Sequence, residues 1–238
     1  MTPAFAYLQA RLQAHHGQRL NEQEWHRLET VIPYRLFLKN GRETSLAPWL
    51  QAIGDTDEPP VLEHRLREAL GHTVAQVTGW APPEWRPAIT WTTHLWQLTA
   101  WRHLWEGNPL PPGLLLTETA GIALLKESWR AGTPLLEGWI QHWQRVWPTQ
   151  QGKRQAALEA LIPLLHNHAN GFATLPEAAA ARTARQQLQE RLRGLFRRHA
   201  GQPAALFVHL ALMALDFERL RGGLVWRALY HTTEEGSV

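Results

Sequence analysis

The sequence predicts an all-α fold, a multi-helix bundle that ends in a long C-terminal helix. Apolar residues recur at spacings of three and four almost throughout, and runs with the alternation of a β-strand are nearly absent. Short turns rich in glycine, proline and asparagine separate the periodic segments, and none is long enough to be a domain linker. We therefore expect a single all-helical domain over residues 1–238, with helices packed in sequence order.

Helix boundaries follow from this periodicity and from start and stop signals. Asn21 with Glu24, and Thr174 with Glu177, match the capping box that opens a helix. The predicted helices span about 3–16, 21–38, 45–53, 59–79, 84–106, 117–131, 134–147, 153–169, 176–199 and 204–230. The predicted turns are Asn40-Gly41, Gly54-Asp55, Pro82-Pro83, 107–113, Gly132, 148–152, Asn170-Gly171 and Gly201.

Three helices carry apolar stripes that we expect to form the core. The chain has 13 tryptophans, each able to bury roughly 150–250 Å², and several of them fall on these stripes at helical spacing. The stripes are His94, Leu98, Trp101 and Trp105; Trp139, Trp143 and Trp147; and Leu206, Leu210, Met213, Phe217 and Leu220.

Composition excludes several classes of protein. The chain has no cysteine, which removes disulfides, thiol catalysis and cysteine zinc sites. The N-terminal residues lack the basic and apolar regions of a secretory signal. The longest apolar stretch, Pro203 to Leu215, is shorter than the ~18–20 residues of a membrane span. We therefore expect a cytoplasmic protein without a transmembrane segment.

The 13 histidines suggest a metal site, but their spacing gives little support for one. His166 and His168, with His142, form the densest group, yet residues two apart on a helix point about 200° away from each other. Facing Glu-x-x-His motifs, which build di-iron bundles, are not found. The sequence thus predicts no metal and no cofactor.

Catalytic motifs are also missing. The chain contains no phosphate-binding glycine loop and no nucleophile elbow. Acid–base chemistry would need a buried carboxylate pair with pKa values driven apart, for which Glu118 with Glu127 and Asp216 with Glu218 are the candidates. Asp216–Arg219 and Glu218–Arg221 also have the spacing of intrahelical ion pairs. We predict no catalytic residue, and a helical enzyme or metal protein built on histidines and carboxylates is the alternative.

The helix over 176–199 is strongly basic and is the candidate partner-binding surface. Its arginines are opposed by Glu177 and Glu190 alone, which fits an acidic protein partner. An ordinary solvated face is the simpler interpretation, and a nucleic-acid-binding module is the less favoured one. The arginines are Arg182, Arg185, Arg191, Arg193, Arg197 and Arg198.

A weak internal repeat divides the chain into two units and a closing segment. Arg11 and Arg102 occupy matching positions in helices that precede a glycine turn, and Trp49 and Trp139 match in the element that follows. The units would span 1–91 and 92–175, with closing helices over 176–230.

The motifs of the first unit resemble a known family, the helical C-type subunits (d-type in eukaryotes) of V/A-type rotary ATPases. The likeness covers about 7–80 and 204–224, and it is clearest in Tyr7-x-x-Ala10-Arg11 and in the closing run from Asp216 to Arg221. The resemblance implies a shortened funnel of helical repeats without catalytic residues. It also implies an adaptor that couples a central stalk to a membrane rotor ring, with protein partners and a location peripheral to the membrane.

Overall fold

The computed structural model describes residues 3–110, 114, 116, 118–173 and 178–234. Over these ranges the chain forms α-helices and two short 3₁₀ helices, with no strand, which confirms the all-α prediction. The 3₁₀ helices cover Pro83–Trp85 and Thr92–Gln97. The α-helices are α1 (Pro3–Gln18), α2 (Glu22–Glu29), α3 (Tyr34–Arg42), α4 (Ala47–Leu50), α5 (Pro59–Trp80), α6 (Arg86–Trp91), α7 (Leu98–Trp105), α8 (Ala120–Arg130), α9 (Leu135–Arg145), α10 (Lys153–Glu159), α11 (Leu161–Ala173), α12 (Ala178–Arg198) and α13 (Pro203–Glu234).

The long helix α13 is the central element of the bundle. It packs against α1, α3, α5, α10 and α12, and its predicted apolar stripe from Leu206 to Leu220 is buried. The buried apolar side chains join into one cluster that extends from Phe5 to Ala228. The expected long C-terminal helix is therefore confirmed, and it joins the N-terminal helices to those that precede it in the chain.

Two helices that the periodicity predicts as continuous are each divided near a proline. The predicted helix 21–38 is wrong in its middle, because Ile32 precedes Pro33 and that position disfavours the helical conformation. The predicted helix 153–169 is likewise divided at Ala160. Pro163 has no N–H to bond the carbonyl of Glu159, so it lies in the first turn of α11, where no such bond is needed.

The predicted helix over 84–106 is divided into two α-helices and two 3₁₀ segments. The hydroxyl of Thr92 donates to the carbonyl of Ile89, and that of Thr93 to the carbonyl of Thr90, at 2.7 Å each. Such bonds compete with the α-helical pattern, and 3₁₀ turns commonly connect helices at such points. His94 therefore lies in a 3₁₀ helix, half-buried, and not on a continuous α-helical stripe.

Glycine separates the helices at some of the predicted turns. Gly107, Gly132, Gly152 and Gly201 adopt positive φ, as a turn requires. Gly41, in contrast, lies inside α3, where a Cβ would come within 2.6 Å of Leu50 Cδ1. The turn predicted at Asn40-Gly41 is thus wrong, and close packing explains the glycine. The turn predicted at Asn170-Gly171 is also helical, within α11.

One of the two predicted capping boxes is confirmed. Asn21 Oδ1 accepts from the backbone N–H of Glu24 at 3.0 Å, and Glu24 Oε2 accepts from that of Asn21 at 2.7 Å. The other box, Thr174 with Glu177, lies outside the described residues. The proposed repeat stays a prediction: Trp49 and Trp139 are both buried, whereas Arg11 and Arg102 differ in their surroundings.

Candidate functional site

A buried ion pair fixes α1 against α13. Arg19 Nε donates to Asp216 Oδ2 at 2.6 Å, and the two side chains are only 8% and 6% exposed. Arg19 Nη2 also donates to the carbonyl of Leu212 at 3.3 Å. Burial raises the pKa of Asp216, while the hydrogen bond from Arg19 opposes that shift. No sequence signal indicates this pair, because its members are 197 positions apart.

His209 lies beside this ion pair and is completely buried. Burial, with the charge of Arg19, lowers the pKa of His209 to about 3, so the ring is neutral at pH 7. Neither ring nitrogen has a hydrogen-bond partner among the described residues. His209, His15, Arg19 and Asp216 line a cavity of about 200 Å³. Asp216 is paired with Arg19. These four side chains therefore offer hydrogen-bonding groups to the cavity but no unpaired carboxylate.

The predicted acid–base pairs do not come together as the sequence suggested. Glu118 and Glu127 are exposed, and Glu218 lies 3.6 Å from Arg221 at the surface, as its spacing predicted. The expected Asp216–Arg219 pair is wrong. Arg219 instead contacts the carboxylates of Glu22 (2.8 Å) and Glu29 (2.6 Å) on α2, because Asp216 points inward to Arg19.

The histidines considered as metal ligands are dispersed. His166 Nε2 lies 3.1 Å from Glu137 Oε2, and the ring of His142 lies 4.0 Å from that of Trp91. His94 Nδ1 lies 3.2 Å from Gln97 Oε1, and burial lowers its pKa. Within the part of the chain that the structure describes, no three histidine, aspartate or glutamate side chains come together as a metal site.

The candidate partner-binding arginines all lie on α12 but do not form one face. By helical geometry Arg191 and Arg198 share one side, while Arg182, Arg193 and Arg197 lie on another. Arg185 and Arg193 are half-buried, and the remaining four are exposed. Glu190 is the sole acidic residue on the described length of α12. The helix therefore presents two basic edges along its solvent side.

An exposed apolar surface lies at the C-terminal end of α13 and was not foreseen from the sequence. Trp226, Leu229 and Tyr230 are 47%, 53% and 59% exposed, and the rings of Trp226 and Tyr230 lie 4.8 Å apart. Ile32 and Leu36 are also exposed, and they adjoin Val31 and Phe37, which contact Arg227 of the same helix end. We call these five residues the α13-end surface. The i,i+4 spacing of Trp226 and Tyr230 was the available signal.

A buried arginine holds this end of α13 in place. Arg227 donates to the carbonyls of Glu29, Val31 and Gly223, at 2.8 Å in each case. Its guanidinium lies 4.0 Å from the ring of Phe37. The carbonyls of Glu29 and Val31 belong to the end of α2 and the turn after it, where helical partners are missing. These contacts of Arg227 thus join the helix end that carries the α13-end surface to α2 and the turn after it.

A second cavity, of about 250 Å³, lies in the middle of the bundle and is almost entirely apolar. Helices α5, α9, α11, α12 and α13 and the 3₁₀ helix Thr92–Gln97 form its walls. Its lining includes Trp139 and Trp143, both fully buried, and Ala211 and Ala214 of α13. Among the described residues that line it, Glu218 alone carries a charge. Met213 borders both cavities.

Comparison with known proteins gives no match, because no family model, no curated protein and no solved structure is significantly similar to this chain. In the described ranges, no helix combines the length and the apolar character that crossing a membrane requires. The likeness to the C-type subunits of rotary ATPases therefore remains a prediction from sequence motifs.

Proposed function

We propose that this protein is a non-enzymatic adaptor that binds a partner protein through the α13-end surface. The observation that carries the proposal is the exposure of Trp226 and Tyr230 side by side on a helix end that Arg227 anchors. Tryptophan, tyrosine and arginine are the residue types that contribute most to protein interfaces. Contiguous exposed apolar residues of this kind are typical of protein interaction sites.

The exposed charge of α12 indicates a second feature of the partner. Arg182, Arg191, Arg197 and Arg198 on α12 are exposed, and none of the four forms an ion pair with another described residue. Opposite charge on a partner would speed its encounter with this protein and orient it. The proposed partner therefore presents an apolar surface that covers Trp226 and, farther along the bundle, an acidic surface that faces α12, whose Phe196 lies beside His209.

A narrower proposal is that the partner belongs to a rotary ATPase. It is supported by the sequence likeness over 7–80 and 204–224. In that case the captured partner would be a protein of the rotor ring or of the central stalk, and this chain would lie at the membrane surface through that partner.

In-cell photocrosslinking tests the proposal at defined positions. A photoreactive phenylalanine analogue at Trp226 should give one recurrent crosslinked partner, whereas the same residue at Leu124 should not. Leu124 is the matched control, because it is also apolar and 48% exposed but lies on α8. The crosslink from position 226 should disappear when Leu229 and Tyr230 are both replaced by serine.

Two crosslinking results would contradict the proposal. Equal crosslinking from positions 226 and 124, or a product that persists in the double serine variant, would show that the α13-end surface is not a specific interface. A crosslink to a second copy of this chain would assign the surface to self-association. Far-UV circular dichroism of each variant confirms that the helices are retained.

A further inference from the structure

We propose that the apolar cavity at the centre of the bundle is a binding site for one small apolar molecule that carries an uncharged oxygen. Its volume of about 250 Å³ exceeds the ~150 Å³ of a cavity that binds benzene and approaches the ~300 Å³ of the smaller ligand pockets. Most of its walls are core residues, while Leu95 and Glu218 reach the surface, so a ligand would be enclosed on most sides and open to solvent on one. This inference is independent of the adaptor proposal.

Two of the three tryptophans in the lining indicate the oxygen. Trp139 and Trp143 are 1% and 2% exposed, and neither indole N–H has an acceptor among the described residues. A buried donor without an acceptor is costly, so native structures rarely leave one. Trp25, Trp101 and Trp147 share this property but lie outside the cavity lining. A hydroxyl or carbonyl oxygen of the ligand supplies the acceptor that the protein lacks here.

Glu218 determines which charge the ligand can carry. Its side chain is 44% exposed, so it marks the solvent side of the cavity. Arg221, its nearest cation at 3.6 Å, also contacts Glu63 and does not neutralise Glu218 fully. A ligand with a carboxylate would place a second negative charge beside Glu218. The site therefore favours an alcohol or ketone over a carboxylic acid of the same length.

Small residues of α13 keep the cavity open. Ala211 and Ala214 lie on its wall among leucines and aromatic rings, and a larger side chain at either position would occupy the space. This allows a direct test, because Ala211→Leu and Ala214→Leu should fill the site while adding apolar contacts. Ala200→Leu, at an exposed position outside the cavity, is the matched control.

The experiment is a titration of the full chain with n-octanol and with octanoate. Calorimetry should give one n-octanol site per chain, with octanoate about tenfold weaker because of Glu218. In Glu218→Gln that difference should shrink. Indole N–H resonances, assigned through Trp139→Phe and Trp143→Phe, should shift on n-octanol addition for these two tryptophans and not for exposed Trp226.

The filled variants complete the test. Ala211→Leu or Ala214→Leu, whichever retains the helical content of the parent chain, should weaken n-octanol binding at least about tenfold, and Ala200→Leu should not. Unchanged binding in a folded filled variant would overturn the proposal. The absence of saturable n-octanol binding to the parent chain would also overturn the proposal, as would Trp139 and Trp143 resonances that do not shift. These two measurements on the parent chain test the proposal even if neither filled variant folds.

Discussion

Arg19 and Asp216 are 197 positions apart, and their ion pair joins the residue that follows α1 to the middle of α13. The pair is nearly inaccessible to water, so its two charges depend on each other for solvation. Replacing a buried pair by apolar residues is often neutral, whereas removing one partner leaves a buried charge alone. At the scale of single residues, this pair and its neighbour His209 are therefore the sensitive points of the molecule.

Removing one member of this pair should cost far more stability than removing both. We expect Asp216→Leu to lower the free energy of unfolding by about 3–5 kcal/mol, because Arg19 then loses its carboxylate. The double variant Arg19→Met with Asp216→Leu should recover most of that loss. Urea denaturation of the parent, single and double variants measures the coupling. Additive losses would contradict the prediction.

His209 should make the protein less stable in acid. Its pKa is about 3 in the folded chain and about 6.5 when unfolded, so between these values the unfolded state binds a proton that the folded state does not. The free energy of unfolding therefore falls as pH decreases from about 6.5, by up to about 1.4 kcal/mol per pH unit from this residue.

Replacing His209 should remove this contribution. We expect the loss of stability between pH 7 and pH 5 to be smaller in His209→Leu than in the parent chain, as measured by urea denaturation at both values. His103→Leu, at an exposed position, serves as the control and should keep the parent's pH dependence. A His209→Leu variant that lost as much stability as the parent would refute the assignment.

At the scale of elements, Arg227 joins the end of α13 to the end of α2. Arg227→Lys keeps the charge but not the planar group that reaches three carbonyls, so we expect a loss of about 2–4 kcal/mol. Hydrogen exchange should become faster over the last turns of α13. Arg102→Lys, in an exposed pair with Glu106, should change stability by less than about 0.5 kcal/mol. Equal effects would argue against the anchoring role.

The helices themselves were predictable because periodicity is a local signal. The spans of α1, α5 and α9 match their predicted ranges closely, and apolar spacing explains each. The breaks near Pro33 and at Thr92–Gln97 do not follow from the apolar pattern, because the constraint of Pro33 on the residue before it and the hydroxyl of Thr92 outweigh that pattern there. Such effects of single residues are not visible in the apolar periodicity of a long segment.

The sites were less predictable than the helices because they depend on distant contacts. The arginines of α12 could be found from charge density, but their division between two sides depends on which face α13 buries. The Arg19–Asp216 pair and both cavities combine residues from helices far apart in the chain. Trp226 with Tyr230 also carried a local signal, the i,i+4 spacing of two aromatic residues near the end of α13.

At the scale of the whole molecule, one continuous core predicts one cooperative unfolding transition. Leu12 and Leu125 lie in the two proposed repeat units, and both are buried in the same cluster. Leu12→Ala and Leu125→Ala should each lower stability by about 2–5 kcal/mol while shifting the same transition. Circular dichroism and tryptophan fluorescence should report coincident midpoints. Two separated transitions would instead indicate two independently stable units.

The tryptophans around α9 give the molecule a distinctive optical property. Trp91, Trp139, Trp143 and Trp147 follow one another with ring centroids 6.4, 5.6 and 4.8 Å apart. At such separations, excitation absorbed by one indole passes to its neighbours before light is emitted. The four indoles therefore share their excitation energy. A single quencher placed beside Trp139 or Trp143 would reduce the fluorescence of all four.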